Sequence, residues 1–332
     1  MDLLTHGVAS FALQRAFFPK TLWRDVLAIV AAGVVADVDW FSAALGPGNY
    51  LRWHRSATHS FVFVGAFALV VFLLFRVKRQ SPEWQSPPVW AAAFAGLLHL
   101  ALDTCQPNGV ALLWPFSSRR FALDVLPYLE PWLLTILVAA VLLPELFRLV
   151  GEEIGSRNKA PRGRSGAIVG FAFAALYLGM RFLLHGNAVA SLGAHTVAGE
   201  TPRREAAFPD SSSPFLWHSI VETESTLNLI TVRSSGGDVS DVSGPTTWHK
   251  PEASPMLSTA QNSSAAIAFI KFARFPKATV EKETEGYSVE IQDLTNQVTE
   301  EKSRVIFADI NLDKNSKVIS SELQWQKDAG KR

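Results

Sequence analysis

Two histidines, an arginine and three hydroxyl residues fill the stretch WHRSATHSF, residues 53–61, at the mouth of a long apolar run. Other groups of the same chemistry lie nearby in sequence: His6, the pair Asp37 and Asp39, and the pair His99 and Asp103. Neutral imidazole and carboxylate oxygen are the donor set of zinc, manganese and non-haem iron sites. His99 and Asp103 are four apart, so a helix places them on one face, about one turn apart, which suits two ligands on one ion. Asp37 and Asp39 are two apart and point about 200° apart on a regular α-helix. Either the helix ends near them, or one holds the ion while the other orients a histidine from outside. The candidate metal ligands are therefore His6, Asp37, Asp39, His54, His59, His99 and Asp103. With more than four candidates, a two-metal hydrolytic centre is one arrangement they allow. Asp39 and Arg55 are the candidate catalytic residues; Arg55, next to His54, suits either an anionic head group or a pairing with Asp39.

These residues must be positioned by apolar elements. Windows 25–46, 60–75, 87–105, 125–147 and 166–184 approach the length needed to cross a bilayer. Window 3–18 is apolar but shorter, and His6, Gln14 and Arg15 interrupt it. It lacks the basic start of a signal peptide, so no cleavage is expected. Threading the segments alternately puts Arg15, Lys20, Arg24, Arg76, Lys78, Arg79, Arg148, Arg157, Lys159, Arg162 and Arg164 on one side. The other side receives Arg52, Arg55, Arg119, Arg120 and Arg181. The basic excess assigns the first side to the cytoplasm. All seven candidate ligands then reach the outer face, and the C-terminal tail lies outside the cytoplasmic membrane.

Each histidine taken singly has a bland explanation as a satisfied interfacial residue. Three carboxylates and four histidines at one depth in apolar surroundings do not, because such groups are costly without a shared ion. The cofactor expected is a divalent metal, zinc or manganese. Thr58 and Ser60 suit a helix cap and hydrogen bonds to the metal-site residues, Gly109 a tight turn. Arg119 and Arg120, with Trp40, Trp53, Trp114 and Trp132, suit the membrane interface. A single cysteine, Cys105, excludes an internal disulfide framework and a thiolate zinc cluster. The net charge of +1 carries no sign of nucleic-acid binding, and no nucleic-acid partner is expected.

From residue 202 onward the patterning changes to period two, with stretches around 219–234, 278–294, 303–313 and 316–326 reading as strands. Residues 313–316, DKNS, read as a hairpin turn, and 263–275 as a helix packed on the strands. The alternation of Asp309, Asn311, Asp313 and Asn315 resembles a calcium loop but lacks its glycine and final glutamate, so a plain hairpin is expected. The fold class expected is an α-helical polytopic membrane bundle over 1–190, then a linker over 191–213, then a smaller α+β soluble domain over 214–332.

The motifs DVD, HRSATHS and HLALDTCQPNGVALLWPF followed by SRR resemble the YdjM-type family of predicted inner-membrane, metal-dependent hydrolases over about residues 1–125. The resemblance implies that His6, Asp37, Asp39, His54, His59, His99 and Asp103 are the metal-site positions. Segments such as PFLWHSIVETESTLNLITV, FARFP and VIFADINLD are similar, more weakly, to the tails of long family members. By analogy with zinc phospholipases C and related nucleases, whose ligand sets are similar, the expected reaction is attack of a metal-activated water on a phosphoester or other ester. Membrane lipids are the expected partners and a lipid-linked ester the expected substrate. The competing classes are a non-enzymatic membrane scaffold and an ion transporter with a structural metal site. A transporter needs polar groups at mid-depth and in both halves of the membrane, whereas the inner ends here carry almost only Lys and Arg.

Overall fold

In the computed structural model, residues 1–19, 21–78, 87–153, 163–193, 199–235, 238–299 and 305–326 are described. Lys20, Arg79, Arg157, Lys159 and Arg162, five of the basic residues used above to orient the chain, lie outside the described residues. The chain divides into two compact units, Met1–Phe41 with Trp53–Phe182, and Ser42–Arg52 with Leu183–Arg332.

The first unit is helical. Helix α1 spans Leu3–Phe17 and is capped by Asp2, whose carboxylate accepts the Thr5 amide at 2.9 Å. Helix α2, Trp23–Val34, runs on as a 3-10 segment, Val35–Leu45. After the short α3, Pro47–Trp53, come α4, Phe61–Lys78, and α5, Pro87–Thr104. Helices α6, Pro131–Glu153, and α7, Arg164–Leu192, follow. The expected windows match these helices, with one displacement. The fourth begins at Pro131, where a proline at the first helical position loses no hydrogen bond. Residues 125 and 126 instead donate their amides to the Cys105 carbonyl, at 2.8 and 2.9 Å, and tie the loop to the end of α5.

Among the described residues, three stretches are long and apolar enough to cross a membrane: Trp23–Leu45, Pro131–Val150 and Arg164–Leu192. Phe61–Leu74 and Val89–Thr104 are shorter apolar helices. Their outward faces are apolar too: Leu69, Phe94, Leu143, Phe173 and Leu176 are exposed. Helices apolar on every side belong in lipid. Inside, α1, α2, α5 and α6 pack through small residues such as Ala9, Ala12, Ala16, Ala32, Ala95 and Ala140, as helices in lipid do when close backbone approach replaces a hydrophobic driving force. Gly33 is the tightest of these contacts, since a methyl group there would lie 1.8 Å from the Ser10 hydroxyl oxygen.

The second unit is α+β. Strands β1 Arg204–Pro209, β2 Leu216–Glu222, β3 Thr226–Ser235 and β4 Asp238–His249 form one antiparallel meander. Strands β5 Pro276–Glu283, β6 Gly286–Asp293, β7 Ile306–Asp313 and β8 Val318–Trp325 form another. Strand β1 lies within the stretch read as linker. Strand β4 escaped the sequence reading because DVSDVSGPTTWH has little apolar alternation; it pairs along β3 with register shifts near Thr231. Two short helices, α8 Pro255–Gln261 and α9 Ser264–Ile270, replace the single helix expected over 263–275. Each has its own serine cap, Ser254 and Ser263. They bury Leu257, Ala266 and Phe269 against Val289, Ile291, Ala308 and Ile310. Residues 42–52 contribute to this core as well, with the Tyr50 ring 5.4 Å from that of Trp325. Strand β7 alternates Ile306, Ala308, Ile310 and Leu312 inward, so Asp309 and Asn311 project from its other face. Asp313 accepts the amides of Asn315 and Lys317 at 2.8 and 2.7 Å, which makes 313–317 a hairpin turn.

Candidate metal centre

Four elements of the first unit carry the candidate residues to one point. Helix α1 supplies His6, the 3-10 segment Asp37 and Asp39, the loop before α4 His54 and His59, and α5 His99 and Asp103. His6, His59, His99 and Asp103 are at most 1 % exposed. One suitable ligand atom from each of His6, Asp37, His99 and Asp103 lies within 4.8 Å of the others.

The protonation pattern follows from the partners. His99 Nδ1 is 2.8 Å from the Gly33 carbonyl oxygen, which can only accept, so Nδ1 carries the proton and Nε2 presents a lone pair. His59 Nδ1 is 2.9 Å from Asp39 Oδ2 and 3.1 Å from the Thr58 hydroxyl oxygen. That hydroxyl spends its own proton on Asp39 at 2.6 Å. His59 Nδ1 therefore donates as well; its Nε2 presents a lone pair in the neutral ring that metal binding needs, and carries a proton toward Asp103 Oδ2 in the charged ring. The two Nε2 atoms face each other at 3.2 Å. Around them, His59 Nε2 lies 3.1 Å from Asp103 Oδ2 and 3.6 Å from Asp37 Oδ1. His99 Nε2 lies 3.6 and 3.8 Å from the same two oxygens.

With His59 neutral, four acceptors converge in a buried space. Such an arrangement calls for positive charge among the acceptors, which either a proton shared by His59 and Asp103 or a metal ion supplies, and the Met1 ammonium adds charge behind Asp103. The spacing suits a metal ion. Ligands about 2.1 Å from a tetrahedral zinc stand about 3.4 Å apart, and the five separations here run from 3.1 to 3.8 Å. His6 completes the wall: its Nε2 is 3.1 Å from Asp103 Oδ1, and its ring stacks on His99 with centroids 3.8 Å apart. The residues present fit a divalent ion.

Asp39 and His54 lie one layer out. In the 3-10 segment each residue advances about 120°, so positions two apart diverge by about 240°. Asp37 turns to the acceptor ring, and Asp39 turns to the loop. Asp39 Oδ1 meets His54 Nδ1 at 3.0 Å. Its Oδ2 accepts the Arg55 amide at 2.8 Å as well as the Thr58 hydroxyl and His59. The question left open by the spacing of the two aspartates is thereby answered by a change of helix type. Arg55 differs from the simple pairing considered above: its backbone amide serves Asp39, while its guanidinium donates to Gln106 Oε1 at 2.6 Å. Its backbone adopts φ 56°, a conformation non-glycine residues seldom take. Ser60 caps α4 by accepting the Phe63 amide at 3.1 Å, and Gly109 sits at φ +59°, where a methyl group would lie 2.7 Å from the Phe121 carbonyl oxygen.

Several contributors are not visible from residue type. The Met1 amino group donates to Asp103 and to Gln106, the latter at 2.7 Å. The Gly33 carbonyl fixes His99, and Ser10 shapes the approach of α1 to α2. Gln106, three residues after Asp103, was the one with a readable signal, a polar side chain at the end of an apolar helix. Arg120 donates to the His54 carbonyl at 2.6 Å and so braces the loop. A cavity of about 670 Å³ opens beside the ring, and Asp37, His54, Arg55 and Tyr128 are among its polar lining. Asp37, with its side chain 22 % exposed, is the member of the ring that faces it.

The sequence pattern of the family described as YdjM inner membrane protein matches residues 1–188. No curated protein and no solved structure matches the chain.

Proposed function

Since the chain belongs to the YdjM family of inner membrane proteins, we propose that it is a membrane-bound, metal-dependent hydrolase of phosphoesters. The observation that supports this reading is the convergence of the Nε2 atoms of His59 and His99 with the carboxylates of Asp37 and Asp103 beside a cavity. His6, Asp37, His59, His99 and Asp103 would hold a divalent ion, zinc or manganese. An ion so held supplies Lewis acidity, polarising a phosphoryl oxygen and making a water acidic enough to ionise near neutral pH.

The chain's own residues do the rest. Asp39 holds His59 and His54 in one tautomer and raises their basicity, the usual work of a carboxylate behind a metal-bound histidine. The Asp37 carboxylate reaches the ring through Oδ1, which leaves Oδ2 to take the proton of the attacking water. Arg55 brings a buried positive charge to the same wall and suits an anionic ester. Asp39 is therefore a positioning residue, and Arg55 the substrate-binding one. In this reading the site faces the outer side of the cytoplasmic membrane, with the second unit outside the cytoplasm, because the basic residues cluster at the opposite ends of the helices.

The test is hydrolysis of bis-p-nitrophenyl phosphate by the detergent-purified protein. Activity should be lost on exhaustive chelation and return with zinc or manganese. Activity that survives metal removal would refute the mechanism. Stoichiometric metal with no hydrolysis of any phosphoester or carboxylate ester would leave a structural metal site, as a scaffold or transporter would have.

A further inference from the structure

The cavity beside the metal centre is chemically two-ended. Ala31, Val34, Val38, Trp40 and Phe41 supply an apolar wall along α2 and the 3-10 segment. Asp37, His54 and Arg55 supply the polar end. Its volume of about 670 Å³ lies within the range of sites that enclose a small molecule. The wall belongs to Trp23–Leu45, a stretch apolar enough to cross a membrane, and Val38, Trp40 and Phe41 are exposed on it, so a soluble phosphodiester would leave it without an apolar partner of its own. A hydrocarbon chain would cover it. The buried Arg55 guanidinium and an ion at Asp37 would give the other end positive charge, and that end calls for an anion.

We propose that this cavity binds a single-chain phosphate amphiphile, with the chain along Val34, Val38 and Phe41 and the phosphate at the Asp37–His54–Arg55 end. The choice of head group rests on the phosphoester reading above; the binding itself does not require turnover. The site thereby selects a lipid rather than a soluble phosphoester, and α2 with its 3-10 extension serves two purposes. Asp37 and Asp39 serve the polar cluster, and Val34, Val38 and Phe41 read the chain.

The test uses two photoreactive probes that share one diazirine-bearing hexadecyl chain, one ending in phosphate and the other in a hydroxyl. Both are applied to the purified, metal-loaded full chain, and labelled residues are mapped by mass spectrometry. Hydrogen bonds to a charged head predict about tenfold more labelling of Val34, Val38 and Phe41 by the phosphate probe. Arg55→Gln should bring phosphate labelling down to the level of the alcohol. Val34→Trp, at a cavity-lining position that is not itself a candidate ligand, should cut labelling of Val38 and Phe41 by a similar factor while metal content stays at the wild-type level. That second variant keeps the test decisive if Arg55→Gln fails to fold. Equal labelling by both probes would overturn the proposal, because bulk lipid would then fill the cavity regardless of head group. Labelling without any hydrolysis would sink the hydrolase reading and leave this one standing. Hydrolysis of bis-p-nitrophenyl phosphate with no phosphate-dependent labelling would do the reverse.

Discussion

Asp39→Asn separates a metal centre from a chance cluster of polar residues. Four donors converge on this carboxylate: His54 Nδ1 at 3.0 Å on one oxygen, then the Arg55 amide at 2.8 Å, the Thr58 hydroxyl at 2.6 Å and His59 Nδ1 at 2.9 Å on the other. An asparagine can keep its oxygen toward the last three and turn its NH2 toward His54, whose ring can change tautomer to accept. The geometry therefore survives, while the negative charge behind His59 is lost. Outer carboxylates of this kind contribute about 10- to 100-fold in metal affinity, or about 1.4–2.8 kcal/mol. The measurement is zinc and manganese affinity of the detergent-purified variant, by competition with a chelator of known strength, with thermal stability of the metal-free protein as the folding control. Affinity within about twofold of wild type in a folded variant would refute the reasoning. It would mean that His59 does not face an ion through its Nε2.

Further outcomes follow from the same geometry. The combined His99→Ala and Asp103→Ala variant removes two of the converging acceptors and should purify without zinc or manganese under conditions in which wild type holds it, as read by elemental analysis. Gly33→Ala places a methyl group 1.8 Å from the Ser10 hydroxyl oxygen and 2.8 Å from its Cβ. It should cost about 1–3 kcal/mol by overpacking and weaken metal binding through the Gly33–His99 bond, and adding Ser10→Gly should restore both. In the second unit, burial pushes the Asp210 carboxyl up, but hydrogen bonds from Ser212, His218 and the Ser213 amide outweigh it and hold Asp210 below the usual carboxylate range. A lowered folded-state pKa gives stability that is present above the unfolded value of about 3.9 and lost as pH falls through the folded value. Asp210→Asn should therefore melt at a lower temperature than wild type at about pH 7, and the two should converge in strong acid. A gap that persists in strong acid would contradict this sign.

The membrane helices, the seven polar candidates and the change to period-two patterning after residue 202 are local properties. Run length decides whether a segment suits a bilayer, alternation decides whether it suits a sheet face, and residue type decides whether an atom can bind metal. All of these can be read along the chain, and so can the i, i+4 pairing of His99 with Asp103. Which nitrogen of a histidine stays bare is decided by what lies behind it. For His99 that partner is a carbonyl 66 residues away on α2, and for His59 it is Asp39 across a loop. The split between Asp37 and Asp39 came from a change of helical pitch, which packing imposes and residue type does not announce. Strand β4 was missed for the same reason: its residues carry little alternation, and pairing with β3 makes the strand. Composition and spacing determined that this chain enters a membrane and carries histidines and aspartates of the types that could hold an ion. Only the packing of α1, α2 and α5 around the loop of His54 and His59 decided which lone pairs meet, because tautomer, burial and approach distance are set by neighbours remote in sequence.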